Sequence, residues 1–230
     1  MTDVTVLMAH GGWADGSSWG RVITGLAAHG VKSVAVPLPL TDLADDVAAL
    51  NRSIERAPGP VILAAHAYAG AVIGLAASER VKALVYVTAF APDEGETLTE
   101  LFFRAEPHPR APKLAPDKDN LLWLPDEAFG TAFAPDASED DLTVLAAAQR
   151  PLRFSCMTVP TAGPMLWKSV PTWYMVAEHD RMIVVETQRF MAERMKAKIR
   201  SHAVDHTPIV TAPGFVVDIL LEAVTTVAAP

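Results

Sequence analysis

The sequence has one cysteine, Cys156, in 230 residues, which excludes an internal disulfide and fits a reducing compartment. It lacks any run of about 18 uninterrupted apolar residues, so no membrane-spanning helix is predicted. A charged n-region followed by an apolar h-region is also missing: Met1, Thr2 and Asp3 lead straight into a strand-like run, so no signal peptide is expected. Basic charge is scarce, with 19 Lys and Arg against 27 Asp and Glu and a net charge of −8. Without a concentrated basic face, binding to a nucleic-acid backbone is not expected. Lys196, Lys198 and Arg200 read as a solvated helix-to-strand junction. No metal-ligand cluster, phosphate loop or dinucleotide fingerprint appears, so no cofactor and no metal is implied. The expected partner is a small molecule; a homodimer stays open, and the expected location is cytoplasmic.

What is present suits a soluble globule with a large core: half the residues are hydrophobic and 20% are charged. The length predicts one domain over 1–230. Short apolar β runs alternate with helical patterns, the signature of a mostly parallel sheet flanked by helices, an α/β fold of about six strands. Strands are predicted at 4–9, 32–36, 61–65, 81–89, 172–176 and 199–204. The runs are unbroken rather than alternating, as in strands covered on both faces. Helices are predicted from Ser18 to the C′ glycine Gly30, from Thr41 to Pro58, and over 68–78, 185–195 and 213–227. Residues 92–164 break the rhythm. They are rich in proline and aromatics, with short helical pieces near 97–106, 125–133 and 138–149 and no convincing β run, and read as an inserted helical cap.

The chemistry centres on Val61-Ile62-Leu63-Ala64-Ala65-His66-Ala67-Tyr68-Ala69-Gly70, a strand, a tight turn and a small-residue helix. This segment resembles the G-x-S-x-G nucleophile elbow of α/β hydrolases, in which the turn lifts a serine above the sheet edge. Here all three signature positions hold alanine. Leu7-Met8-Ala9-His10-Gly11-Gly12-Trp13 is similar to the oxyanion loop of the same family, and the resemblance implies backbone donors at Gly12 and Tyr68. The run Trp173 to Arg181 resembles the turn that presents the triad acid, implying Asp180. Val204-Asp205-His206-Thr207-Pro208 resembles the loop that presents the histidine, implying His206. The order nucleophile, acid, histidine is that of the family. Further runs (His10 to Trp19, Val81 to Val87, Ala91 to Glu96, Arg189 to Met195) look like the small bacterial esterases near plant hydroxynitrile lyases and methylesterases.

Ala67 has no oxygen to attack with, and losing a triad nucleophile costs roughly six orders of magnitude in turnover. Three readings follow. One is a carboxylic-ester hydrolase whose serine has been replaced by design. Another is a natural nucleophile-less enzyme using His206 and Asp180 as a general-base dyad. The third is a ligand-binding protein that keeps the pocket without the reaction. Ala65 and Ala69 favour a natural origin, because a designed change would touch the serine alone. Other candidates have blander roles: Ser17 and Ser18 as helix caps, Cys156 as inert core, and His66 as packing. His179 is left between the surface and the acid's surroundings, and Glu178 is a weaker rival to Asp180. Trp13, Phe90, Phe102, Trp123, Phe129 and Trp167, with Phe103 and Phe133 beside them, are the candidate pocket walls. They suggest a small, largely uncharged ester, lactone or ketone.

Overall fold

The computed structural model describes residues 3–228. Met1, Thr2, Ala229 and Pro230, which the expected domain includes, lie outside the described residues. Four strands form the first half: β1 (Thr5–Ala9), β2 (Lys32–Val36), β3 (Val61–His66) and β4 (Val81–Val87). The cap segment adds β5 (Leu121–Leu122) and β6 (Leu152–Arg153), and the rhythm resumes with β7 (Thr172–Ala177) and β8 (Lys198–His202). Six strands make one parallel sheet in the order β2-β1-β3-β4-β7-β8.

The apolar runs need two cores, one per face, because successive strand side chains point to opposite sides. Leu7, Leu63, Leu84, Tyr86 and Tyr174 enter one cluster, while Val6, Met8, Ile62, Val85 and Trp173 enter the other. Helices Leu43–Arg56 and Val185–Arg194 lie on the first face; Gly20–Ala28 and Pro213–Ala228 cover the second. None of the helices among the described residues is long and apolar enough to cross a membrane.

Local differences from expectation have local causes. Asp15, not Ser18, opens the first helical stretch: its carboxylate accepts the Ser17 N–H at 2.8 Å, and a 3₁₀ turn over Gly16–Trp19 runs into the helix Gly20–Ala28. Asp42 rather than Thr41 caps the next helix by accepting the Asp45 N–H. The helix after the elbow is short, Ala69–Gly74. The expected helix over 125–133 breaks into a short turn, Asp126–Ala128, and one wide turn closed by the Ala134 N–H on the Phe129 carbonyl at 2.7 Å. The expectation of no strand in the cap is corrected by the antiparallel β5–β6 ribbon, two residues per strand and too short to show a period.

Candidate active site

Four turns at the carboxyl ends of the first four strands each carry a non-glycine residue in left-handed backbone: Trp13 (φ 58°), Leu40 (61°), Ala67 (50°) and Thr88 (46°). Each costs about 1–2 kcal/mol, which the surrounding packing must offset. At the elbow the Ala67 carbonyl accepts the Gly70 N–H at 3.2 Å and the Phe90 N–H at 3.0 Å. The third signature position tolerates Ala69, but Gly70 has no such latitude. A Cβ there would sit 2.0 Å from the Phe90 carbonyl oxygen. A Cβ on Gly11 would lie 3.0 Å from that of Ala67, so the first strand's loop is pressed against the elbow.

The predicted acid and base meet. His206 Nδ1–H donates to Asp180 Oδ2 at 2.8 Å, with both side chains buried. The Asp180 carboxylate accepts three further bonds: Met182 N–H at 2.7 Å and Ile183 N–H at 2.9 Å on Oδ1, and Gln188 Nε2–H at 2.8 Å on Oδ2. Gln188 is locked in turn, accepting the Ala177 N–H at 3.0 Å and donating to the Ile183 carbonyl at 2.6 Å. The backbone of His206 is also held. Its carbonyl accepts from His66 Nε2–H at 2.8 Å and Thr88 Oγ–H at 3.0 Å. With Nδ1 carrying the proton, the neutral imidazole keeps its lone pair at Nε2. Neither Glu178 nor His179 joins this pair. Glu178 is ion-paired with Arg189, and His179 is exposed.

Ala67 and His206 line one cavity of about 480 Å³, together with Gly12 and Tyr68. Among the described residues neither the Gly12 N–H nor the Tyr68 N–H has an acceptor in the protein, whereas the Trp13 N–H is taken by the Arg150 carbonyl at 3.0 Å. The Tyr68 side chain anchors the elbow from behind: its OH donates to buried Asp46 Oδ2 at 2.6 Å, and Asp46 Oδ1 accepts the Leu40 N–H at 2.8 Å. Burial, opposed by those two bonds, pushes the Asp46 carboxyl up to about 6.

Of the aromatic candidates, Trp13, Phe90, Phe102, Phe103 and Phe133 line the cavity. Trp123, Phe129 and Trp167 do not, which corrects the expectation. Trp123 follows the short β5 strand and is 47% exposed, its indole N–H on Asp117 at 3.1 Å. Phe129 lies a layer back, edge-on to Phe133 with ring centroids 5.4 Å apart. Trp167 is buried beneath, donating to the Pro92 carbonyl at 3.1 Å. No apolar count along the sequence distinguishes a wall from the layer behind it.

The alternative nucleophiles are engaged elsewhere. Ser17 Oγ–H bonds Asp15 at 2.6 Å and Ser18 Oγ–H the Asp15 carbonyl at 2.7 Å. Cys156 is buried, and burial pushes its thiol up to about 12, so no thiolate forms at neutral pH. Burial pulls the His66 ring down to about 3, so it stays neutral as a packing and carbonyl-binding group. Sequence reading missed two residues. Asp205, beside the base, accepts the Thr207 N–H and the Asp136 N–H, tying the histidine loop to the cap. His108 enters the cavity wall from the cap. Asp205 could have been suspected from its place beside His206, but nothing in the sequence marked His108.

Among solved structures, polyneuridine aldehyde esterase superposes with a TM-score of 0.84 at 21% identity, covering 96% of this chain and 99% of that one. A pyrethroid hydrolase from Sphingobium faniae JZ-2 gives 0.83 at 21% identity, over 96% and 98%. The methylesterase MES16 from Arabidopsis gives 0.79 at 17%, over 97% and 99%. At such identities the likeness establishes the fold. No curated protein is similar enough in sequence to count as a relative. The sequence profile of the Alpha/beta hydrolase family matches residues 6–219, and with the sheet order and the strand-end turns described above it places this chain in that family.

Proposed function

We propose that the protein is an enzyme that acts without a covalent intermediate on a small, largely uncharged ester, lactone or ketone, with His206 as general base and Asp180 as the group that orients it. One observation carries this reading: a buried, four-donor Asp180 holds His206 so that Nε2 keeps its lone pair, in an apolar cavity where Ala67 stands in place of a nucleophile. A base so held removes a proton either from a water beside an acyl carbon or from a carbon next to a carbonyl. The negative charge then gathers on the carbonyl oxygen, which the free N–H groups of Gly12 and Tyr68 are suited to receive. The largely apolar walls, with Phe90, Phe102 and Phe133 among them, lower the local dielectric and strengthen both interactions.

The test is proton exchange. Phenylacetone incubated with the protein in D2O should lose its α-protons, followed by NMR, and His206→Ala should slow this by roughly 10²–10⁴-fold. Phenylacetone binding to His206→Ala should persist. Exchange that is indifferent to His206, in a variant that is folded, removes the dyad from the mechanism.

A further inference from the structure

The cavity has few polar atoms to spare. The Trp13 indole N–H is given to the Leu122 carbonyl at 2.9 Å and the Tyr68 OH to Asp46. Among the described residues this leaves three lining side chains with uncommitted polar atoms: His206, His108 and Lys113. Lys113 is exposed, whereas His108 is half-buried. Both come from 107–114, a cap stretch stiffened by Pro107, Pro109 and Pro112, whose rings fix φ and reduce what must be ordered on binding.

The protonation of His108 follows from its one hydrogen bond. The Arg110 N–H donates to His108 Nδ1 at 3.1 Å. Nδ1 is therefore the acceptor, and the proton of the neutral ring sits on Nε2. Protonating Nδ1 as well would set one N–H against another. Partial burial, then Arg181 and Arg110, hold this imidazole below its ordinary range against the opposing pull of Asp180, so the neutral form prevails at neutral pH. His206 is the reverse case, with its proton on Nδ1 and its lone pair on Nε2. One cavity thus holds an imidazole acceptor and an imidazole donor.

We propose that His108 is a second substrate-binding catalytic residue and that the substrates are compounds with two carbonyl oxygens flanking an acidic carbon, 1,3-diketones or β-keto esters. The inference rests on the dyad reading above. In the step it implies, the C–H bond between the carbonyls breaks and its proton passes to His206 Nε2. The electron pair spreads over both oxygens as an enolate, one oxygen facing the Gly12 and Tyr68 N–H groups and the other accepting from His108 Nε2–H. The imidazolium of His206 is then balanced by Asp180. Return of a proton from His206 reverses the step, so no oxidant or co-reactant is needed. A single carbonyl would leave the His108 donor idle.

The experiment compares 1-phenyl-1,3-butanedione with 4-phenyl-2-butanone, which has one carbonyl, as ligands of the parent protein and of His108→Phe, His108→Gln and His206→Ala. Kd is taken from titration and enolate formation from the absorbance of the bound dione. The dione should bind the parent with a red-shifted enolate band. His108→Phe should weaken dione binding roughly tenfold, the loss expected for one hydrogen bond, and leave the monoketone nearly unchanged. His108→Gln, which keeps an N–H donor, should recover most of the dione's affinity, and His206→Ala should lose the band while still binding. Equal affinity and an equal band in His108→Phe overturn the role of His108, as does an equal weakening for both ligands. The dyad reading is judged apart from this, by His206-dependent exchange of the monoketone in D2O. If neither ligand binds and no exchange occurs, both proposals fall together.

Discussion

The elbow and the dyad lie on one edge of one sheet, yet they are differently equipped. At the dyad every polar group but His206 Nε2 is held: a carboxylate with four donors, an imidazole fixed at Nδ1, and a backbone carbonyl bonded by His66 and Thr88. At the elbow Ala67 offers no nucleophilic atom, while the costly left-handed backbone is in place, with Ala67 at φ 50° and Gly70 against the Phe90 carbonyl. The difference separates two things that a serine hydrolase combines. The turn positions N–H donors and packs helix against strand whether or not a hydroxyl stands on it; the hydroxyl adds only the covalent route. The proton transfer at a carbonyl proposed above draws only on what the site keeps, the donors and the base.

The largest test of this contrast puts the missing atom back. Ala67→Ser should raise cleavage of p-nitrophenyl esters by roughly three orders of magnitude or more, with acylation of the new serine visible in the intact mass of the protein. A folded Ala67→Ser protein that stays inert would mean that the elbow no longer aims its residue at His206, and the contrast would dissolve into general decay of that edge. The next test attacks the turn itself. Gly70→Ala should lower stability by about 3 kcal/mol or more, a fall in Tm of roughly 10 °C by thermal unfolding, because the added Cβ meets backbone on Phe90 rather than a movable side chain. Ala69→Gly, one position away, should cost no more than about 1 kcal/mol, the loss of helix propensity. Similar costs at the two positions would show that the close approach is not what constrains the elbow.

The sheet was largely legible in the sequence because buried parallel strands leave long apolar runs, and the observed strand starts and ends fall within two residues of expectation. Asp180 and His206 were legible through the motif words around them; no spacing rule would have paired residues on different strands. The cap was legible as an interruption and opaque in detail. Its helices are short, its ribbon has two residues per strand, and whether Trp123 or Phe133 faces the cavity depends on how the segment folds over the sheet. His108 was invisible for the same reason: its meaning comes from one backbone N–H two residues on.

The smallest effect concerns the support behind the elbow. Asp46 is fully buried between Tyr68 and Leu40, and its carboxyl is raised from 3.8 to about 6. Between about pH 4 and pH 6 the folded protein therefore holds a proton that the unfolded chain has released. Stability from this group is greatest in acid and declines as the pH rises through that window, by about 3 kcal/mol at most. Asp46→Asn cannot titrate, though its side-chain oxygen can still accept from Tyr68 or Leu40. Urea unfolding of both proteins from pH 4 to pH 7 should show the variant gaining on the parent up to about pH 6, after which the difference is flat. The dyad should feel little of this, since Asp46 binds the elbow and not the histidine loop. If Asp46→Asn weakens the oxyanion side, binding of a carbonyl ligand should suffer while the hydrogen bond between His206 and Asp180, read from the downfield Nδ1 proton by NMR, is unmoved. A shift in that proton would mean that the two regions are coupled through the sheet edge and cannot be treated as separate devices.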